Sequence, residues 1–449
     1  MTLLNAVLEA INHAVWGIPL IFLLSGVGIY LSCGLRFMPQ RQILPACRLL
    51  WQSRKRHGTG DITPFNALMT AMAAHVGTGN IAGVATAVYY GGPGALFWMW
   101  VVALIGTGTV FCETTLAVHF REQDEHGNSI GGPMYYIKNG LGKRWHWLAV
   151  LFALFGTSAA AGIGTTVQAH SMADSLYDTF GITPLITGIV SAILAGMVLL
   201  GGIRRIGDVA GWMVPFMAAV YVGACVLILC LNITVLPDAL ILVVQSAFTG
   251  SAATGGFAGA TAWAAIRYGF SRGIFSNEAG MGSSPIAHAS AQTDSPTRQG
   301  ALAMVGVLID TIVICTMTGL VIITTGAWKS GSNGAVLSNL AFNTALPGVG
   351  KYIVTFGMVF FSFSTLIGWS FYSEKCLQYL CGTKAIKPFR LVWVLLIPLG
   401  TLPWIDLGTV WLVADILNAL MAVPNLIALV LLSPVLFRLV RGNAQSLCA

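Results

Sequence analysis

The sequence predicts an all-α protein that crosses a lipid bilayer about 11 times. Of its 449 residues, 56% are hydrophobic and only 9% are Asp, Glu, Lys or Arg, whereas roughly a quarter of the residues in a soluble domain are charged. The apolar runs are continuous and do not alternate residue by residue, which excludes a transmembrane β-barrel. Since one spanning helix needs about 20 apolar residues, a chain of this length accommodates about 11 helices with their loops.

The predicted spanning helices are separated by polar or glycine-containing segments. They cover residues 16–34, 65–90, 94–120, 146–177, 184–202, 209–232, 261–292, 299–326, 350–380, 390–403 and 407–437. We expect residues 2–14 to form a short helix at the membrane surface. The segment 236–257 contains too many Gly and Ser residues for a spanning helix, and we expect it to dip back or to lie at the surface.

The basic residues support this assignment of helices. Alternate loops hold 19 of the 23 Lys and Arg residues, which is the bias expected of cytoplasmic loops. The assignment places the N-terminus outside and the C-terminus in the cytoplasm, as a multi-pass protein of a bacterial-type inner membrane. The net charge of +7 is distributed between apolar runs, so nucleic acid is not an expected partner.

The second predicted span contains an unusual stretch, residues 73–83, with Gly77, Gly79 and Asn80 at mid-membrane depth. Such residues are unfavourable inside a helix, and unpaired backbone in hydrocarbon is tolerated only beside a cavity or a ligand. We therefore expect the helix to break here. Close helix packing through small residues is the alternative. His75 adjoins the break and is expected to serve packing, with proton sensing as the alternative.

A second interruption lies in the seventh predicted span, at residues 275–285, where Glu278 and Pro285 accompany glycines and hydroxyl residues. The alternative here is a cytoplasmic loop, but this would invert the orientation of every later loop. Two broken helices five spans apart are typical of an inverted-repeat secondary transporter.

This pattern divides the chain into a leading segment, two five-helix repeats, a surface segment between them and a cytoplasmic tail. The leading segment comprises the surface helix, one extra transmembrane helix and a basic cytoplasmic loop. In chain order the five parts are residues 1–63, 64–235, 236–260, 261–437 and 438–449.

The chemistry of an unwound helix favours a zwitterion together with a cation. Its free N–H groups favour a carboxylate, and its free carbonyl oxygens are ligands for an alkali cation. The sequence has no GxxxxGK[ST] phosphate loop, so ATP is not the expected energy source. The acidic residues are dispersed, which does not favour a membrane-embedded enzyme.

Three motifs resemble one family of transporters. Residues 91–106 fit its sixteen-residue signature, and residues 131–137 and 276–283 are also similar. On these residues the chain resembles the alanine or glycine:cation symporters, also called sodium:alanine symporters, which belong to the wider group with the leucine-transporter fold. The resemblance implies a transporter, not an enzyme, that couples Na⁺ entry to uptake of alanine, glycine or a similar small neutral amino acid, with no cofactor besides Na⁺.

The resemblance also implies roles for individual residues. The residues implied to contact the substrate are Thr78, Gly79, Gln168, Phe275, Ser276, Gly280, Thr365 and Trp369. The implied cation ligands are Ala73, Val76, Ser364 and Thr365, with Asn80 and Asp310 as further candidates. For Asp310 the alternative is a structural pair with a hydroxyl or an Asn.

Several charged residues keep more than one role open. Glu278 stands where related transporters have a small or hydroxyl residue, and it is a candidate to contact substrate, lock the loop or take up a proton. Arg272 is a candidate for an outer gate or for a plain surface position. Glu113 is expected to make a contact at the helix end near Arg121. A proton-coupled carrier with Glu278 or Asp310 as relay remains an alternative, and so does an amino-acid sensor that does not translocate its ligand.

Overall fold

The computed structural model describes residues 3–54, 58–252, 254–402 and 404–442, and most of them are helical. Parts of the predicted surface helix, basic loop, segment 236–260, tenth span and tail lie outside the described residues. These parts are residues 1–2, 55–57, 253, 403 and 443–449.

The first half of the chain forms twelve α-helices and one short hairpin. The helices are α1 (Leu3–Val15), α2 (Ile18–Gly34), α3 (Met38–Arg41), α4 (Ile43–Gln52), α5 (Pro64–His75), α6 (Ala82–Gly91), α7 (Gly94–His119), α8 (Pro133–Tyr136), α9 (His146–Ala160), α10 (Val167–Phe180), α11 (Pro184–Leu199) and α12 (Gly202–Leu231). The antiparallel hairpin between α7 and α8 consists of β1 (Glu122–Gln123) and β2 (Ser129–Ile130).

The second half continues with nine helices. They are α13 (Leu236–Thr249), α14 (Ala262–Asn277), α15 (Ser284–His288), α16 (Pro296–Val307), α17 (Thr316–Thr324), α18 (Gly334–Ala345), α19 (Gly350–Cys381), α20 (Ile386–Gly400) and α21 (Leu407–Gly442). Single 3₁₀ turns lie at Thr78–Asn80, Lys143–Trp145, Ala327–Ser330 and Thr383–Ala385. Wider π-helical segments lie at Ile137–Leu141, Ala161–Thr166 and Leu308–Cys315.

Among the described residues, 7 helices are long and apolar enough to cross a bilayer. Four predicted spans remain. Two of them, 65–90 and 261–292, are interrupted. The other two are short: α11 has 16 residues and α20 has 15. Helix α13 has 14 residues, which at 1.5 Å per residue is too short for a hydrocarbon core of about 30 Å. The chain therefore folds as a multi-pass membrane protein. Residues 236–249 form one continuous helix, and the surface position expected for the segment 236–257 stays a prediction.

The two interrupted helices lie inside the bundle. Helix α5 packs against α12 and α19, and α14 packs against α6 and α7. Close approach of α19 to α5 depends on Gly368, where an added Cβ would lie 2.6 Å from the backbone nitrogen of Ala74. This contact brings the middle of α19 to the end of α5, where the first interruption begins.

Candidate functional site

The first break separates α5 from α6. Helix α5 ends at His75, and the backbone of Val76 and Gly77 is extended. One 3₁₀ turn, Thr78–Asn80, follows before α6 begins. The side chain of Asn80 accepts a hydrogen bond from the N–H of Gly77 at 2.9 Å, so this N–H does not bond back to the preceding helical turn. The expected interruption is present.

The second break separates α14 from α15. Helix α14 ends at Asn277, and the chain then passes through three positive φ angles, at Glu278 (54°), Gly280 (86°) and Gly282 (78°). The side chain of Asn277 accepts a hydrogen bond from the N–H of Ala279 at 3.0 Å. A left-handed conformation costs a non-glycine residue roughly 1–2 kcal/mol, so Glu278 adopts it only because surrounding contacts compensate.

The two breaks meet at a buried polar cluster. The side-chain amide of Asn80 donates to Ser276 Oγ at 3.1 Å and to Asp310 Oδ1 at 2.7 Å. The Ser276 hydroxyl donates to the other carboxyl oxygen of Asp310 at 2.6 Å. An added Cβ at Gly79 would lie 2.9 Å from the ring of Phe275. Both carboxyl oxygens of Asp310 thus accept hydrogen bonds at the junction of the breaks.

Most of the implied cation ligands also come together. The carbonyl oxygen of Val76 lies 3.2 Å from Ser364 Oγ and 3.4 Å from Thr365 Oγ1. The other first-break carbonyl near Thr365 is that of Ala74, at 3.5 Å. The resemblance implies Ala73 instead, which is fully buried one residue earlier on α5.

The substrate residues implied on α10 and α19 lie beside the first break. The N–H of Thr78 donates to Gln168 Oε1 at 3.3 Å, and the side-chain amide of Gln168 donates to the carbonyl of Ile163 at 3.1 Å. That carbonyl belongs to the π-helical segment between α9 and α10, and such segments frequently mark functional sites. Trp369 packs on the same segment, since an added Cβ at Gly164 would lie 2.5 Å from its Cβ.

Glu278 contacts the first broken helix. Its Oε2 lies 3.4 Å from Nε2 of His75, and the two side chains are 2% and 1% exposed. The hydroxyl of Ser283 donates to the same oxygen. The sequence favoured packing for His75 over proton sensing, and the structure places it opposite a carboxylate that belongs to the other break.

Gly280 lies at the side of the second break that faces α2 and α21. Its carbonyl accepts a hydrogen bond from the side chain of Asn425 at 2.9 Å, and an added Cβ would lie 2.6 Å from Leu24. Asn425 also donates to the carboxylate of Glu113 and accepts from the hydroxyl of Tyr136. The predicted helix-end contact of Glu113 is therefore wrong: this acid supports the second break.

Sequence reasoning missed Asn425 and Tyr136. A weak signal existed for each, because Asn425 follows a proline inside the last span and Tyr136 belongs to the motif 131–137. Neither signal identifies the partner, since Tyr136 and Asn425 are separated by 289 positions in the chain.

A cavity of about 430 Å³ opens on the side of the breaks that carries α6 and α10. Arg272 and Trp411 line it. The guanidinium of Arg272 lies 3.0 Å from a carboxyl oxygen of Asp415, 5.6 Å from the ring centre of Phe275 and 5.4 Å from that of Trp411. Since Phe275 also contacts Gly79, this cluster separates the cavity from the breaks.

The opposite side is the basic face, where the arginine-rich loops lie, and Arg121 closes it. Its guanidinium donates to the carbonyl oxygens of Ala291 at 2.7 Å, Thr293 at 2.8 Å and Thr59 at 2.9 Å. These contacts join the end of α7 to the segments before α5 and after α15.

Asp61 lies near Arg121 on the same face. It accepts a hydrogen bond from a backbone N–H at 2.8 Å, but burial still raises the pKa of its carboxyl above the usual value.

The comparisons with known proteins agree with this geometry. The profile of the sodium:alanine symporter family matches residues 1–446. The sodium/alanine symporter AgcS of Methanococcus maripaludis is 47% identical over 96% of this chain and 95% of its own length. An uncharacterized transporter of Haemophilus influenzae is 48% identical over 99% of this chain and 97% of its own length. A substrate-bound, outward-open structure of a Na⁺-coupled sialic acid symporter covers 96% of this chain and 85% of its own, with a TM-score of 0.50 and 13% identity, which shows a likeness of fold alone.

Two interrupted helices that meet inside a multi-pass helical bundle define a secondary transporter of the leucine-transporter type. Within that class, the chain belongs to the sodium:alanine symporter family. Its members are Na⁺-coupled amino-acid symporters and not enzymes.

Proposed function

We propose that this protein uses an inward Na⁺ gradient to take up alanine, glycine or a similar small neutral amino acid by alternating access. Family membership supports Na⁺-coupled amino-acid symport. We add the identity of the substrate, the direction of transport and the residues that bind the substrate and Na⁺. The supporting observation is that the carbonyl oxygen of Val76, in the first break, faces the hydroxyl groups of two residues of α19.

The hydroxyl groups of Ser364 and Thr365 have lone pairs free for a cation. A hydroxyl has one proton and two lone pairs. The hydroxyl of Ser364 lies 2.8 Å from the carbonyl oxygen of Phe361, and the hydroxyl of Thr365 lies 2.9 Å from the same oxygen. For each hydroxyl this distance is shorter than that to the Val76 oxygen, so each donates its proton to Phe361. Their lone pairs then face the Val76 oxygen at 3.2 and 3.4 Å with no proton between the oxygens. Oxygen atoms in this arrangement suit a hard cation, and we place Na⁺ between them, with the carbonyl of Ala73 or Ala74 completing the set.

The substrate carboxylate would bind the amides of Thr78 and Gly79. Helix termini favour anions, and the Thr78 hydroxyl is buried with no hydrogen-bond partner among the described residues, as expected of a group that serves a ligand. Gln168 would align this turn. The residues proposed to enclose the rest of the amino acid are Phe275, Ser276, Thr365 and Trp369, whereas the implied Gly280 lies on the side that faces α2 and α21. Because Phe275 and Trp369 are bulky, we expect a small side chain.

Asp310 and Asn80 are proposed to serve a second cation. The Asp310 carboxylate already receives hydrogen bonds from Asn80 and Ser276 and from the hydroxyl of Thr311 at 2.8 Å. An approaching cation would replace donors on this carboxylate, and this exchange would link cation binding to both breaks at once.

The proposed architecture has eleven crossings. Helix α2 is the extra crossing, residues 64–235 and 261–437 form the inverted repeats, and the basic face lies in the cytoplasm of an inner membrane. This orientation puts the N-terminus outside and residues 438–449 inside. The 430 Å³ cavity is then the outer approach to the site.

In the proposed cycle, Na⁺ orders the first break and preforms the carboxylate site. Substrate then closes the outer side, and the Arg272–Asp415 pair acts as the gate above Phe275. The repeats rock around the site, which opens the basic face. The coupling is reciprocal, so the factor that Na⁺ adds to alanine affinity is the factor that alanine adds to Na⁺ affinity.

The test is radiolabelled alanine uptake by proteoliposomes under a Na⁺ gradient or a proton gradient. The matched pair of variants is Thr365→Ala and Ser370→Ala, both on α19, because the Ser370 hydroxyl bonds only its own helix at Ile367. We expect Thr365→Ala to raise the half-saturating Na⁺ concentration about tenfold, the loss of one ligand worth about 1.4 kcal/mol, and Ser370→Ala to leave it unchanged.

Uptake that responds to protons and ignores Na⁺ would instead favour the proton-coupled carrier. Alanine binding without any flux would favour a sensor. Equal Na⁺ dependence in both variants would remove the proposed cation site while leaving the family assignment intact.

A further inference from the structure

Two further cavities lie at the periphery of the bundle, where the end of α4 meets α5 and α12. One is an apolar groove of about 210 Å³ between the end of α4, α5 and α12. Phe65, Met69 and Met72 line it from α5 at spacings of four and three residues, and Val214 and Pro215 line it from α12. Such a side-chain set matches a hydrocarbon chain.

The positively charged side chain of Arg54 lies at the mouth of this groove. The guanidinium of Arg54 lies 4.9 Å from the ring centre of Phe65 and 5.3 Å from that of Trp51, so two aromatic faces hold it. The backbone is anchored by the N–H of Phe65, which donates to the carbonyl of Ser53 at 3.0 Å. Arg54 is exposed, and the ion pairs of the described residues do not include it.

An open cavity of about 750 Å³ adjoins the groove and shares Arg54 with it. Asp208 lines this cavity, and one of its carboxyl oxygens accepts from the side chain of Asn66 at 3.0 Å. Pro215 lies inside α12 and has no N–H, so the carbonyl of Gly211 lacks its usual helical donor. One face of the cavity thus offers a phosphate-binding donor and another offers two acceptors.

We place these two cavities at the depth of the lipid headgroups in the bilayer. Helix α4 exposes Leu44 to 79% and Trp51 to 75%, and Arg41 and Arg48 are exposed on the same segment. Exposed apolar and basic residues on one short helix are typical of an element that lies in the membrane interface, and tryptophan is enriched there.

We propose that the groove and the adjoining cavity together bind one zwitterionic aminophospholipid, phosphatidylethanolamine. Arg54 binds its phosphate, Asp208 and the Gly211 carbonyl accept from its ammonium group, and one acyl chain fills the groove. The opposite charges of Arg54 and Asp208 select this headgroup over an anionic one, because Asp208 would repel a headgroup without the ammonium. The acyl chain would lie against Met72, next to the implied cation ligand Ala73.

The test measures lipid retention by native mass spectrometry after the detergent-purified protein is loaded with phosphatidylethanolamine, phosphatidylglycerol or phosphatidylcholine. We expect selective retention of phosphatidylethanolamine. Arg54→Gln and Asp208→Asn should each weaken it about tenfold, the effect of one charge-assisted hydrogen bond. Ala218→Phe, which adds a ring to the groove wall, should abolish retention through the acyl chain.

Matched controls are Arg48→Gln, an exposed arginine on α4, and Asp238→Asn, an exposed acid on α13; both should retain the lipid as the unmodified protein does. Better retention of phosphatidylglycerol with no effect of Asp208→Asn would overturn the choice of headgroup. Equal retention by Arg54→Gln and Arg48→Gln would overturn the site. Because retention requires no transport, the result is independent of the proposed function.

Discussion

The first break, residues 76–81, and the second break, residues 278–283, interrupt their helices by different means. At the first break the backbone groups meet neutral side chains, with Thr78 bonded to Gln168 and the Val76 carbonyl facing two hydroxyls. The second break is held in place by contacts with ionisable and amide side chains, and its backbone adopts three positive φ angles. In the proposed function the first break exchanges these contacts for ligands, whereas the contacts of the second break keep its shape.

The contrast also explains where the acids lie. Glu278 and Glu113 both serve the second break, and each is fully or almost fully buried. A buried polar group is stable only when it is hydrogen-bonded, so these acids favour a fixed geometry in their surroundings. The first break, residues 76–81, contains no acidic residue, and in the proposed cycle Na⁺ and a carboxylate replace its contacts.

The largest expected effect is that of Glu278→Ala. It leaves His75 and Ser283 without their shared partner, and breaking a buried pair costs about 3–5 kcal/mol. Thermal unfolding in detergent measures this. The control is Glu122→Ala, whose exposed pair with Lys138 at 2.9 Å is worth about 0–1 kcal/mol. A variant at Glu278 that melts normally but loses uptake would show that this acid belongs with the ligand-exchanging groups.

Gly282→Ala should follow, with a loss of about 3 kcal/mol in the free energy of unfolding, from left-handed strain and overpacking together. The added Cβ would lie 2.6 Å from Pro133 and 2.9 Å from the Asn425 side chain. Gly83→Ala, just beyond the first break, is the control because its Cβ would meet nothing within 4 Å. Equal melting of both variants would remove the distinction between a shaped and an exchangeable break.

The smallest effect is expected for Gln168→Ala. The variant removes the contact, worth about 1 kcal/mol, that aligns the Thr78 turn for the carboxylate, so the half-saturating alanine concentration should rise about fivefold with little change in melting. Thr157→Ala is the control, since its hydroxyl bonds its own helix at Ala153, 2.8 Å away. A large drop in melting temperature with unchanged alanine dependence would make Gln168 a structural residue.

The sequence predicted the bilayer, the family and both interruptions, because each depends on local composition or a continuous motif. Gly77, Gly79 and Asn80 disfavour a helix wherever they stand, and hydrophobic length marks a spanning helix without reference to its neighbours. The site residues of α19 were placed through the family resemblance. Their approach to Val76 agrees with it, but their roles stay predictions.

Only the tertiary structure decided which polar groups face one another. Asn425 reaches Gly280 across 145 positions, and Glu278 meets His75 of the other broken helix. Such pairs depend on how the helices cross and rotate, and periodicity fixes neither. Glu113 illustrates the limit: its position on α7 was predictable, but its partner was set by packing against α21 and the second break.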